Sequence, residues 1–278
     1  MTNSFTHKKS LGQNFLTSDY VPKKMCDAAE LQAGETVLEI GPGTGMLTRE
    51  ILARGGQVVA IEADKRAIAV LEETFVADIA SGQLTLHHLD ARELDTATLG
   101  LTDHNYKVVA NIPYYLSGLL LRTLLESTYQ PTTLVFLIQK ELAERIARDQ
   151  KESLLSLSVK AFGTPRYVET IKRGHFQPPP RVDSAILAIT NINHNSFTTF
   201  TPEHFFTILH LGFGQKRKQL AHNLRSIAPA ETIRHLLTTL NEAPTARAED
   251  LSCMQWLALA QQLSPADTNT QIYPPTTP

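Results

Sequence analysis

The chain of 278 residues is 42% hydrophobic and 19% charged, a composition that argues for a folded globular protein and against a fibrous or disordered one. Its formal net charge of −2 gives no global argument for nucleic acid, and its two distant cysteines, Cys26 and Cys253, suit free thiols rather than a disulfide framework or a zinc site. No apolar run approaches the roughly 18 residues of a membrane span, and the opening MTNSFTHKKS lacks a signal-peptide core, so a cytoplasmic protein is expected.

From residue 36 strands and helices alternate. TVLEI (36–40), QVVAI (57–61), LTLHHL (84–89), YKVVA (106–110) and TTLVFLI (132–138) are short runs bounded by turn residues. Helical spacing occupies 44–54, 64–77, 117–127 and two segments within 140–162. The alternation predicts an α/β fold with a mostly parallel sheet covered on both faces. RYVETIK (166–172) and SAILAIT (184–190) follow with no helix between them, which predicts an antiparallel edge and seven strands in all. After a polar stretch (191–204), FFTILHLGF, KRKQLAHNLRSIA, ETIRHLLTTLN and MQWLALAQQL return to helical spacing. The expected organisation is an N-terminal segment (1–35), an α/β domain (36–192), a small all-helical domain (200–263) and a disordered tail (264–278).

Charge is unevenly placed. Residues 61–110 carry a net −5 and residues 140–183 a net +3, with short basic clusters at HKKS (7–10), KRGHFQPPPR (172–181) and GQKRKQLAHNLR (214–225). Each cluster alone reads as a solvated face, or as a phosphate grip if it borders a site.

VLEIGPGTGMLTRE (37–50) is a strand, a glycine turn and a helix. It departs from the dinucleotide fingerprint G-x-G-x-x-G, because Met46 stands where the last small residue belongs. The E-x-G-x-G-x-G pattern from Glu39 to Gly45 resembles motif I of class I S-adenosylmethionine methyltransferases. Glu62 closes the second strand, where a carboxylate can accept both ribose hydroxyls, and Asp90 closes the third, where it can accept from an adenine amino group. Either acid could instead cap a helix. His87 and His88, adjacent on a strand, face opposite ways and make a poor metal pair, so no metal is expected.

VVANIPYYLSG (108–118) runs from a buried strand into an amide, a proline and two tyrosines. NIPY is similar to the [N/D/S]-P-P-[Y/F] motif of enzymes that methylate exocyclic amino groups. Such an amine is a poor nucleophile, its lone pair being delocalised into the ring. Asn111 and the carbonyl of Ile112 can accept from the amine, Pro113 stiffens the backbone and Tyr114 can stack on the base. Phe176, held by Pro178 to Pro180, is a candidate for the opposite face, or a packing residue. A base taken from folded RNA must be extruded to reach such a pocket.

KKSLGQNFL (8–16), VLEIGPGTG (37–45), VVANIPYYLS (108–117), QKELAERI (139–146), FQPPPRVDSAIL (176–187) and FGQKRKQLAHNL (213–224) occur in the order seen in ribosomal RNA adenine N6-dimethyltransferases, and the chain resembles that family from residue 8 to about 260. The resemblance implies a class I fold with a helical RNA-binding domain. It also implies transfer of methyl groups from S-adenosylmethionine to two adjacent adenines in a 3′-terminal hairpin of small-subunit (16S) rRNA, a late role in small-subunit assembly, and a monomer acting away from membranes. Residue by residue, it implies that Gln13, Asn14 and Leu16 close over the cofactor and that Gly41, Gly43, Glu62, Asp90 and Asn111 contact it. Asn111, Ile112, Pro113, Tyr114 and Phe176 would form the target-adenine pocket, and Lys216, Arg217, Lys218 and Arg225 would grip RNA phosphates. The segment QKESLLSLSV (150–159) lacks the tyrosine, glycine and arginine that many relatives carry there.

Two other readings share parts of this pattern. A resistance-type enzyme acting on large-subunit (23S) rRNA has nearly the same catalytic motifs, but the compact helical domain and FQPPPRVDSA favour the small-subunit branch. A non-catalytic assembly factor on the same fold would be expected to have lost the GPGTG or NIPY block, and both are intact.

Overall fold

The computed structural model describes residues 14–263. They form two compact units, one of residues 14–148 and 163–193, the other of residues 149–162 and 194–263.

In chain order the first unit opens with a two-residue strand, Phe15–Leu16 (β1), and the helix Tyr20–Ala28 (α1). Strand Thr36–Ile40 (β2) leads into helix Met46–Ala53 (α2), and strand Gln57–Glu62 (β3) into helices Lys65–Thr74 (α3) and Val76–Ala80 (α4). Leu84–His88 (β4), Lys107–Asn111 (β5), Ser117–Leu125 (α5), Thr133–Gln139 (β6) and Lys140–Ala147 (α6) continue the alternation. After helix Leu154–Lys160 (α7), which belongs to the other unit, come strands Thr164–Ile171 (β7), Phe176–Gln177 (β8) and Ser184–Thr190 (β9).

Seven strands make one sheet in the order β4-β3-β2-β5-β6-β9-β7. The first five run parallel, and β9 pairs antiparallel with both β6 and β7. Both faces are covered, as the apolar strand sequences require. Val37, Val109 and Val135 join Met25, Ile51 and Leu71 in one core layer. Leu38, Val108 and Leu134, equally inaccessible to solvent, alternate to the opposite face. The sheet is therefore the expected one, parallel with an antiparallel edge. β1 and β8 form a separate antiparallel pair, with Leu16 opposite Phe176.

The second unit is helical: α7, Pro202–Phe213 (α8), Leu220–Asn223 (α9), Ala230–Thr239 (α10) and Cys253–Gln262 (α11). Trp256 is fully buried, donates its indole N–H to the Ala248 carbonyl at 3.1 Å, and lies so close to α8 that a Cβ on Gly212 would stand 2.4 Å from its ring. Residues 149–162, which the sequence pattern assigns to the α/β domain of 36–192, group with this unit instead. The reasons are local: Lys151 pairs with Glu249 and Asp250, the Glu152 N–H donates to the Glu249 carbonyl, and Phe162 packs 5.0 Å from Phe197. The tail 264–278 lies outside the described residues. Among those residues no helix is long and apolar enough to cross a membrane.

Candidate active site

The carboxyl ends of β4, β3, β2 and β5 lie side by side, and the order of the strands reverses between β2 and β5. Open α/β sheets bind ligands at such switch points. A cavity of about 310 Å³ opens there, walled by the glycine turn after β2, Glu62, Asp90, residues 111–115 and the segment Asn14–Leu16.

The glycine turn is shaped by two different demands. Gly41 has φ +70°, a conformation other residues rarely adopt, and a Cβ there would meet nothing within 4 Å. Gly45, with φ +82°, caps α2, and a Cβ on it would come within 2.5 Å of the Phe75 ring. The close approach that a dinucleotide site makes through a later small residue is made here by Gly45, one position before Met46. The Gly43 N–H donates to Glu62 Oε2 at 3.1 Å, tying the turn to the end of β3.

Three carboxyls face this cavity in different states. Glu62 is 8% exposed and accepts the Gly43 N–H and, at 2.9 Å on its other oxygen, the Asp64 N–H. Burial pushes its pKa up, while those backbone bonds oppose the shift. Each oxygen keeps a further lone-pair site for a ligand hydroxyl. The helix cap on α3 is supplied by Asp64, whose side chain accepts the Arg66 N–H, so the capping alternative for Glu62 does not hold. Asp90 does cap a short helical turn: it accepts the Arg92 N–H at 2.9 Å and also pairs with the Arg92 guanidinium at 2.6 Å. Those bonds hold its carboxyl below the usual range. Glu39 is the carboxyl that sequence reasoning passed over except as the first letter of its motif. It is 1% exposed and accepts the Thr48 hydroxyl at 2.7 Å. Burial, reinforced by the nearby Glu62, pushes it up to about 8 against that hydrogen bond. Its alternation into the cavity at the penultimate position of β2 was the available signal.

Asn111 ends β5 and lines the cavity together with Ile112, Pro113 and Tyr114. Its amide nitrogen donates to the Asn14 carbonyl at 3.2 Å, so the oxygen is the end left for a donor. Ile112 is buried, and Pro113 leads into the turn Tyr114–Leu116. The Tyr114 hydroxyl meets the Ser184 hydroxyl at 2.6 Å, and burial pushes the phenol upward, keeping it neutral. Tyr115, 63% exposed, and Arg92 also border the cavity and were not singled out from the sequence.

Of the other expected site residues, Asn14, Leu16, Gly41, Gly43, Glu62 and Asp90 all reach the cavity wall. Gln13 lies outside the described residues. Phe176 is 3% exposed and packs in the core layer with Leu16, which lines the cavity, and with Ile171. Lys216, Arg217, Lys218 and Arg225 are exposed on the helical unit. Among the described residues no group of three or more His, Cys, Asp or Glu side chains could hold a metal.

A parallel sheet with an antiparallel insertion, a glycine turn after its first long strand, acids after the next two and an Asn-x-Pro-Tyr turn after the fourth define the class I methyltransferase fold. The family model described as ribosomal RNA adenine dimethylase matches residues 4–264. The chain belongs to that family. It is 38% identical over 257 residues to the ribosomal RNA small subunit methyltransferase A of Dehalococcoides mccartyi, covering 91% of this chain and 87% of that one. The protein of the same name from Lactococcus lactis is 35% identical, covering 95% and 92%. Among solved structures, a dimethyladenosine transferase from Plasmodium falciparum superposes with a TM-score of 0.74 at 25% identity, covering 88% and 95%. The 23S rRNA methyltransferase ErmE shares the fold, with a TM-score of 0.71 at 24% identity.

Proposed function

We propose that the protein transfers methyl groups from S-adenosylmethionine to N6 of two adjacent adenines in a 3′-terminal hairpin of small-subunit rRNA, acting on a late assembly intermediate in the cytoplasm. The observation that carries this reading is that Asn111 shares one cavity with Glu62, Asp90 and the glycine turn. Names of the relatives that align over nine-tenths of the chain support the small subunit as substrate.

The cavity suits S-adenosylmethionine by its chemistry. Its wall is rich in acceptors, which a cationic ligand with ribose hydroxyls and an amino group can use, and the space beside Gly41 lets backbone and ligand approach closely. Glu62 would hold the ribose and Asp90 the adenine amine, with Asn14 and Leu16 covering them. When bound, S-adenosylmethionine supplies a methyl group already activated for transfer. The chain's part is then positioning. Asn111 Oδ1 and the Ile112 carbonyl accept hydrogen bonds from the N6 amine, from both N–H groups before the first transfer and from the one that remains before the second, which turns the nitrogen lone pair out of conjugation. Pro113 keeps that carbonyl fixed, and Tyr114 stacks on the base at about 1–3 kcal/mol. The released proton passes to water after attack, so no side chain is needed as a base. The helical unit, through Lys216, Arg217, Lys218 and Arg225, would hold phosphates.

The test offers radiolabelled S-adenosylmethionine with undermethylated small and large ribosomal subunits, followed by nucleoside analysis. N6,N6-dimethyladenosine in small-subunit RNA alone is the expected result. Label in large-subunit RNA alone would move the protein to the resistance-type branch. No label in either would return the protein to the role of a binding factor.

A further inference from the structure

The block FQPPPRVDSAIL contributes Phe176 to the core, which leaves the remainder of that block without a part in the reaction. The structure gives it one through Ser184. This residue opens β9, is fully buried, and lies opposite Gln139 of β6 and Ile171 of β7. Its backbone is held from several sides: the preceding Asp183 accepts Lys172 Nζ at 2.9 Å and the Arg173 N–H at 3.1 Å, and its carbonyl accepts the Lys140 N–H at 3.0 Å. From this fixed point the Ser184 hydroxyl reaches Tyr114 Oη, 2.6 Å away and 70 residues earlier in the chain.

Tyr114 needs such an anchor. It hangs from a short 3₁₀ turn, closed by the Leu116 N–H on the Pro113 carbonyl at 2.9 Å and by the Ser117 hydroxyl on the Tyr114 carbonyl at 2.9 Å. Those bonds fix the backbone end of the side chain and leave rotation about its two torsions. A hydrogen bond at the far end of the ring removes that freedom.

We propose that Ser184 is a positioning residue for methyl transfer: by holding the Tyr114 hydroxyl it sets the plane of the ring on which the target base stacks. The proposal rests on the reading of Tyr114 as the stacking surface. It explains why the Asp183–Ser184 step and the NIPY turn form one device: the first supplies the fixed end and the second the movable one. A stacked base whose nitrogen must meet a methyl group in line tolerates little tilt, and a misplacement of about 1 Å can cost on the order of 100-fold in rate.

The test compares Ser184→Ala, Tyr114→Phe and the double variant for kcat and KM of transfer to small subunits, cofactor affinity and thermal midpoint. Each single change is expected to lower kcat roughly 10-fold or more, with cofactor affinity unchanged, and the double variant is expected to be no slower than the slower single one. Losses that multiply, or a Ser184→Ala variant that only melts earlier with kcat intact, would overturn the proposal. Fluorine NMR of the free chain carrying 3-fluorotyrosine gives a readout independent of activity. The Tyr114 resonance, identified by its loss in Tyr114→Phe, is expected to be single and narrow in the unaltered protein and broadened or split in Ser184→Ala. An unchanged resonance refutes the anchor. An inactive parent protein with a changed resonance refutes the methyl-transfer reading and leaves the anchor standing.

Discussion

The side-chain amide of Asn111 donates to the backbone carbonyl of Asn14, 3.2 Å away across 97 positions of sequence. One end of the amide is thereby committed to the N-terminal segment, and the orientation of the other end is fixed. Asn111→Ala removes both the acceptor and the tether. Transfer is expected to fall by roughly 10²–10³-fold, the usual cost of deleting a preorganised group at the reacting centre, while binding to the small subunit is nearly unchanged. Parallel filter-binding and methylation assays check this; equal loss of both would remove Asn111 from its assigned role.

Glu62 bonds the glycine turn and the start of α3 at once. Glu62→Gln keeps the shape but turns an N–H₂ group toward one of two backbone donors. Cofactor affinity is expected to drop about 10- to 100-fold, the equivalent of one or two charge-assisted hydrogen bonds. Calorimetric titration with S-adenosylmethionine measures it directly, and an affinity within about twofold of the parent would mean that the ribose is held elsewhere.

Glu39 links stability to pH. Its carboxyl has an ordinary value of 4.5 and is pushed up to about 8 in the fold, so between those limits the folded protein holds a proton that the unfolded chain has lost. The unfolded state binds fewer protons there, so stability decreases as pH rises through this window. The full effect is on the order of a few kcal/mol. Glu39→Gln, which keeps an acceptor for Thr48 and carries no charge, is expected to flatten the slope of melting temperature between about pH 5 and 8 and to melt higher than the parent at the upper end of that range. A slope unchanged by the substitution would show that Glu39 is ionised in the folded state.

Lys216, Arg217 and Lys218 are exposed between α8 and α9. Neutralising all three is expected to weaken rRNA binding uniformly and to reduce the salt dependence of log K by up to about 0.7–0.9 for each phosphate no longer neutralised. An unaltered salt slope would reduce these side chains to solvated surface.

The strands were legible because β2, β3, β5, β6 and β9 are buried on both faces, so their sequences carry little but apolar residues between turn signals. Glycines and carboxylates at strand ends made the cavity wall legible too, since their spacing follows the repeat of the fold. Two-residue strands such as β1 and β8 carry no periodic signal, and their pairing, which sets Leu16 opposite Phe176, is invisible in the sequence. Nor does the sequence show that the helix expected over 64–77 breaks at Phe75, whose ring lies against Gly45. The membership of residues 149–162 is equally hidden, because it is decided by partners about 100 positions away, Glu249 and Asp250. Local pattern predicts elements well; it has no access to which distant element will cover them.

The place of β9 between β6 and β7 has a consequence for how the protein is born. A ribosome delivers the chain from its N-terminus at roughly 5–20 residues per second. Until residues 184–190 emerge, β6 presents a bare row of backbone donors and acceptors, and β7 has no neighbour. β1, made before every other strand of the unit, waits for Phe176 and Gln177 before it can pair. The glycine turn, Glu62, Asp90 and Asn111 are by then long since synthesised. One nascent chain can thus carry every strand-end group expected to recognise the methyl donor and still lack Ser184, which steadies the acceptor's side, and the seated N-terminal strand that covers the donor.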